Sequence, residues 1–499
     1  MIKYYNHQLI YYTLFIISIT SSNGQINTNN IEIIRDNYGV PHIFSKTDAE
    51  LAYGLAWAHA EDDFETIQKA YLAGNNLLSK LLGIKGAGAD FLTQFIGSDE
   101  LINDLYESKI SIEYKKILEA YSQGINRFAE LNPDKVLIKE LFPLNPKKLL
   151  KYAQLQLFVS SEGDYWINKI IKNDLKYQVV DQSNNLYSNE ETRGSNVFGF
   201  NSSRTKDGNT YLAINTHQPL DGPVSWYEAH LSSEEGTNIL GALFAGSPHV
   251  LIGANENIAW SHTVNRPDKT DVFALEMHPK FKKKYRVDDN YYDLEEYKAS
   301  IFIKILGIPI KIKRKYYKSI YGPTLKNNSG YYSIRTPSLF EIRAMEQWWR
   351  MGKAKNFTEF YNIIKKNSLP GYNIGYADKN DTIFYISNGL IPKRKDGYDW
   401  KNVVPGNTKK TLWTEMYKTE ELPQVIQPKS GYFYNANHSP FLSTSKNENP
   451  KKDSFSKNMG FETYNNNRST RLYDLIEEKK ELDYNDFKKI KYDNSLPNP

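Results

Sequence analysis

Apolar residues recur with helical spacing through the first third of this chain and alternate in short runs through the rest. Thr47, Asp48, Ala49 and Glu50 have capping-box spacing ahead of Leu51, Leu55, Ala58, Ile67 and Tyr71, which predicts a helix starting there. Helical periodicity continues over 101–131 and 149–175. Short strands are expected at 31–34 and 39–43, around a turn at Asn37 and Gly39. Beyond Ser195 the pattern predicts strands at 196–202, 209–216, 258–264, 272–276, 301–313, 383–387 and 431–435. Between the two regimes, 173–193 is polar and turn-rich and reads as an exposed linker. The chain is thus helical first and β-rich second, with no repeat period.

Composition narrows the chemistry. With 499 residues, 40% apolar and 14% aromatic, the chain is long enough for a large core. Its 63 basic and 58 acidic residues leave a formal charge of +5, carried only in short runs such as 282–284 and 311–315. That is a solvated surface and not a nucleic-acid footprint. Cysteine is absent, so disulfides, thiolate metal sites and cysteine nucleophiles are excluded.

Residues 1–24 combine Lys3, an apolar run from Leu9 to Ile19, and the small residues Ser22 and Gly24. This reads as a secretory signal leading to the periplasm or beyond, with a retained N-terminal anchor as the alternative; the run is too short to span a bilayer stably.

The chemistry centres on Gly194-Ser195-Asn196. Asp207-Gly208 is a hairpin turn signal between the strand that begins at Ser195 and the strand that ends at His217, so the two residues should be neighbours. Gly194 would allow a tightly turned backbone for an N-to-O acyl shift, which would free the Ser195 amine. No Gly-x-Ser-x-Gly elbow is present, which argues against a conventional serine hydrolase.

Four separated blocks carry a resemblance. They are 35–43 with 53–62, then 194–196, then 246–248 with 252–255 and 258–263, and finally 435–440. In this order they resemble the penicillin acylase family, including the acyl-homoserine-lactone acylases, within the N-terminal nucleophile hydrolases. The resemblance implies an α+β fold with a four-layered αββα sandwich and a helical N-terminal part. It also implies a precursor: a signal at 1–24, a mostly helical α subunit at 25–175, a spacer at 176–194 cut before Ser195, and a sheet-rich β subunit at 195–499. The two fragments would stay together as a heterodimer. The chain ends at 499 where the family's second subunit usually continues, so an incomplete C-terminus is expected.

The implied reaction is hydrolysis of a linear N-acyl amide through an acyl-enzyme on Ser195. Its own α-amine would act as base, with an ordinary pKa of about 7.7–8.0. The backbone N–H of Val264 and the side-chain amide of Asn437 would hold the oxyanion. His217 would orient the Ser195 region, and Arg468 would position Asn437. The family also implies one structural calcium, with Asp268, Thr270 and Asp271 as ligands and Glu162 and Asp164 as further candidates; an acidic loop without metal is the alternative. Trp226, Tyr227 and Trp260 are either acyl-pocket linings or ordinary core. A truncated, non-catalytic acylase-like domain is the rival reading.

Overall fold

The computed structural model describes residues 26–175, 194–305 and 308–497. The leader expected at 1–24 and all but the last residue of the spacer expected at 176–194 lie outside the described residues.

The first helix runs Asp48–Gly74. Thr47 Oγ1 accepts from the Glu50 N–H while the Glu50 carboxylate accepts from the Thr47 N–H, the reciprocal cap that the sequence predicts. The periodicity at 101–131 is split into Ser98–Lys109 and Ile112–Leu131, because Ser111 turns the chain and caps the second helix through its hydroxyl. That at 149–175 is split likewise into Pro146–Ser160 and Gly163–Lys172, with Glu162 at φ +63° between them.

A nine-stranded sheet forms the centre, in the order Glu32–Arg35, Pro41–Ser45, Tyr227–Ser233, Asn238–Leu243, Ile252–Asn255, Ile258–Thr263, Tyr372–Asp378, Ile383–Asn388, Gln424–Ile426. On one face it shares a core with the helices Asp48–Gly74 and Ile112–Leu131, where Leu55, Tyr71 and Tyr121 join Ile43, Leu231, Trp260 and Ile374. On the other face lies a three-stranded sheet of Tyr432–Asn435, Gly194–Phe200 and Tyr211–His217. Val197 and Phe433 from this small sheet pack with Ala377, Ile383 and Tyr385 of the large one. The sheets approach closely at Gly375, where a Cβ would lie 2.5 Å from Val197 Cγ2.

The strand Gly194–Phe200 alternates, so Phe198 and Phe200 point the other way from Val197. They meet Leu472, Ile476, Phe487 and Ile490 of the helices Asn467–Glu478 and Tyr484–Tyr492. Helices, large sheet, small sheet and helices make the four αββα layers.

A second lobe follows the small apolar runs of the middle of the chain. Its six-stranded sheet is ordered Glu295–Ile305, Ile308–Ser319, Gly322–Lys326, Tyr331–Arg335, Asp271–Ala274, Val403–Pro405. The single strand expected at 301–313 is therefore corrected to two strands of a hairpin, with Ile301 opposite Ile312 and Ile303 opposite Ile310. Only the first arm gives isoleucines, Ile301 and Ile303, to the core, while Ile308, Ile310 and Ile312 of the second arm are exposed, so apolar residues alternate on both sides of the turn without a break.

Candidate active site

Ser195 is the second residue of the middle strand in the small sheet. It lies opposite Thr216, while Gly194 lies opposite His217. Cross-strand partners share a face, so His217 belongs to the face of Gly194 and not to that of Ser195. The hairpin brings the two expected residues together with an offset of one position. Burial, and then the charge of Arg468, lowers the His217 pKa below its ordinary value, which keeps the ring neutral.

The Ser195 hydroxyl donates to the Gly194 carbonyl oxygen at 2.5 Å, and its backbone N–H donates to Asn437 Oδ1 at 2.6 Å. Arg468 Nη2 donates to the same Oδ1 at 2.9 Å. Arg468 Nη1 reaches the Ser195 carbonyl at 3.1 Å and Asn196 Oδ1 at 2.5 Å. One guanidinium thus spans Ser195, its neighbour Asn196 and the asparagine. With two donors on Oδ1, the orientation of the Asn437 amide is fixed, and its Nδ2 donates to the Val264 carbonyl at 2.8 Å. Val264 therefore meets Asn437 through its carbonyl.

Asn437 sits at φ +60°, a conformation that asparagine tolerates better than most residues. Its N–H donates to Asn435 Oδ1 at 2.9 Å, and Asn466 Nδ2 holds the preceding carbonyl, that of Ala436, at 2.9 Å. Asn466 is also the N-cap of the helix that carries Arg468. The helix start and the Asn437 turn are therefore one unit.

Gly194 matters for a reason other than the expected one. It is the first residue of a strand and is absent from the residues with positive φ. A Cβ there would instead lie 2.8 Å from Asn437 Oδ1 and 3.0 Å from Arg468 Nη2. A larger residue would crowd both side chains.

Three residues at the site carry no sequence expectation of their own. Thr263 Oγ1 donates to Asn435 Oδ1 at 2.6 Å. Asn373 Nδ2 bridges Thr263 Oγ1 at 3.0 Å and Asn435 Oδ1 at 3.2 Å, and also faces the Val264 carbonyl at 3.4 Å. All three are buried neutral side chains on different strands: Thr263 and Asn373 are opposite each other in the large sheet, and Asn435 comes from the small sheet. They clamp the turn that carries Asn437 to the end of the strand leading to Val264.

Just beyond Val264, Asp268 and Asp271 come together around Arg394. Its Nε donates to Asp271 Oδ2 at 2.9 Å and its Nη2 lies 3.3 Å from Asp268 Oδ1. Thr270 turns away from this pair, its hydroxyl donating to the Ser161 carbonyl at 2.5 Å. Among the described residues no group of three or more His, Cys, Asp or Glu side chains is placed to hold a metal ion. Trp260 is wholly buried with its indole N–H on the Leu251 carbonyl, so it is core and not pocket lining. Tyr227 stacks on His59 with ring centres 3.9 Å apart, and Trp226 stacks on Phe244 at 4.2 Å.

The penicillin amidase family profile matches residues 30–498. The chain belongs to that family. Among curated relatives in the family, it is 23% identical over 394 residues to the acyl-homoserine lactone acylase PvdQ of Pseudomonas fluorescens, covering 72% of this chain and 50% of the relative. To the penicillin G acylase of Escherichia coli it is 22% identical, covering 83% of this chain and 60% of the relative. The chain spans about half the length of the first of these relatives. Of solved structures, the thermostable penicillin G acylase of Alcaligenes faecalis superposes with a TM-score of 0.51 at 22% identity, over 59% of this chain and 51% of that one. The likeness bears out the α+β, four-layered architecture.

Proposed function

We propose that this chain is a self-cleaving amidohydrolase of the penicillin amidase family that hydrolyses linear N-acyl amides through Ser195. The observation that carries this reading is the placement of the Ser195 hydroxyl 2.5 Å from the Gly194 carbonyl oxygen, with Asn437 and Arg468 gathered at the same peptide. In maturation, Ser195 Oγ attacks the Gly194 carbonyl carbon and the hydroxyl proton passes to the departing Ser195 nitrogen. The C–N bond breaks, an ester joins Gly194 to Oγ, and water hydrolyses it to a Gly194 carboxylate and a free Ser195 amine.

The mature site then repeats the chemistry on a substrate. The Ser195 amine takes the Oγ proton as Oγ attacks the amide carbonyl, the amine product leaves, and water releases the acid from the acyl-enzyme. Asn437 supplies an oxyanion donor once its Nδ2 turns from the Val264 carbonyl toward the reacting oxygen, joined there by the Val264 N–H. Arg468 holds Asn437 and the Ser195 carbonyl, and neutral His217 packs behind the cut bond. This intact assembly favours a catalytic protein over a non-catalytic remnant. The leader pattern at 1–24 supports export, and the two fragments are expected to remain a heterodimer. The deciding experiment is intact mass with N-terminal sequencing of the purified protein and of Ser195→Ala. A fragment starting at Ser195, absent from the variant, is the expected result; the same fragment from the variant would mean an external protease.

A further inference from the structure

We infer that Arg394 is the resident cation of the Asp268–Asp271 pair, standing where the family resemblance puts calcium. The joint around residues 266–271 is then held by a guanidinium and not by a metal. The side chains of Arg394 and Asp271 are both fully buried. Arg394 donates through two of its three nitrogens, Nε to Asp271 Oδ2 and Nη1 to the Asp268 and Asn458 carbonyls at 2.8 Å each, while Nη2 lies 3.3 Å from Asp268 Oδ1.

These are the oxygens that a calcium ion at this place would need. Calcium takes six to eight oxygens at about 2.3–2.6 Å. Here Asp271 Oδ2 already accepts from both Arg394 and the Trp413 indole, the latter at 2.6 Å, and only its Oδ1 lacks a partner. Gly460, at φ +66°, packs against the base of Asp268, where a Cβ on it would come 2.4 Å from Asp268 Cβ. Arg394 and the buried Lys269 stand among Asp268, Asp271, Glu162 and Glu462, so cationic side chains already face these carboxylates.

The guanidinium also ties distant segments. Asp268 N–H donates to the Met459 carbonyl at 3.1 Å, Arg266 N–H bonds to Glu462, and Thr270 bonds to Ser161 from the helical part of the chain. Val264 begins this same loop, so Arg394 is a positioning residue for the strand end beneath the proposed oxyanion site.

The test uses the full chain, metal analysis and thermal melting, and so does not depend on activity. The purified protein is expected to contain no stoichiometric calcium after dialysis and to melt at the same temperature in EDTA and in millimolar calcium. Arg394→Gln leaves two buried carboxylates without their cation. It should melt about 3–5 °C lower and recover part of that loss in calcium. If that variant does not fold, Arg394→Lys keeps a positive charge without the fork and should melt lower while remaining indifferent to calcium. About one calcium per chain in the unmodified protein, or a fall in its melting temperature on chelation, would overturn the inference. So would an Arg394→Gln protein whose melting calcium leaves unchanged, since the aspartate pair would then not be a cation site.

Discussion

The backbone N–H of Ser195 donates to Oδ1 of Asn437 at 2.6 Å, joining two residues 242 positions apart. Because Arg468 donates to the same oxygen, the asparagine amide is held by two donors, with its Nδ2 on the Val264 carbonyl. In the proposed cleavage the Ser195 amide N–H would become an amine, so the group that faces Oδ1 would change from a planar amide to a freely rotating, titratable nitrogen.

Separating backbone from side chain at Asn437 tests that role. Asn437→Gly keeps the φ +60° turn, whereas Asn437→Ala adds roughly 1 kcal/mol of backbone strain. Both should lose turnover by about 100- to 1,000-fold, with little change in substrate binding. Steady-state kinetics on the processed proteins decides it; near-normal turnover of Asn437→Gly would leave the side chain only structural.

Maturation should be sensitive to one methyl group at Gly194. Its Cβ would press on Asn437 Oδ1 and the Arg468 guanidinium, a crowding worth about 1–3 kcal/mol. Gly194→Ala is expected to fold and to process about tenfold to a hundredfold more slowly, as followed on denaturing gels. Unchanged processing would show that these neighbours yield freely.

With the Ser195 amine as base, kcat/KM should rise with pH as that amine loses its proton. The nearby positive charge of Arg468 disfavours the ammonium, so the midpoint should fall below about 7.7. His217, held neutral, is not the group that titrates, and His217→Ala should keep the ascending limb at reduced activity. Loss of that limb only in the histidine variant would reassign the base.

The buried histidines should each cost the fold stability in acid, partly offset by Asp268 and Glu462, whose pKa burial pushes up to about 7. His59, His249, His262 and His438 are buried, and burial pushes each pKa from 6.5 down to about 4. At these rings the unfolded chain therefore binds more protons than the folded one below pH 6.5. Their contribution to stability is full above that pH and falls as pH drops toward 4, by about 1 kcal/mol per histidine at pH 5.5. Urea midpoints at pH 7.5 and 5.5 measure it; equal midpoints would mean that these rings are protonated or exposed.

Much of this was legible in the chain itself. Ser195 and Asn437 stand in the blocks that carry the resemblance, Arg468 follows from the role the resemblance implies, and the Thr47–Glu50 cap is local. Thr263, Asn373 and Asn435 were not legible, because a buried neutral side chain gains its meaning only from strand register. Arg394 was missed for a related reason: it lies 123 residues from Asp271, and nothing near it in sequence marks it as a counter-ion. The hairpin Glu295–Ile305 with Ile308–Ser319 shows the opposite failure, a periodicity so regular that it conceals the turn.

The strands Glu32–Arg35 and Pro41–Ser45 precede the proposed cut, yet Pro41–Ser45 pairs in parallel with Tyr227–Ser233, which follows it. Once the peptide is broken, neither product owns a complete sheet. Heat or urea then separates two partners that must find each other again, so recovery of the processed protein should depend on its concentration while recovery of Ser195→Ala should not. Maturation in this protein would therefore act as a one-way ratchet, leaving an enzyme that remembers how it was folded but no longer carries the means to repeat it alone.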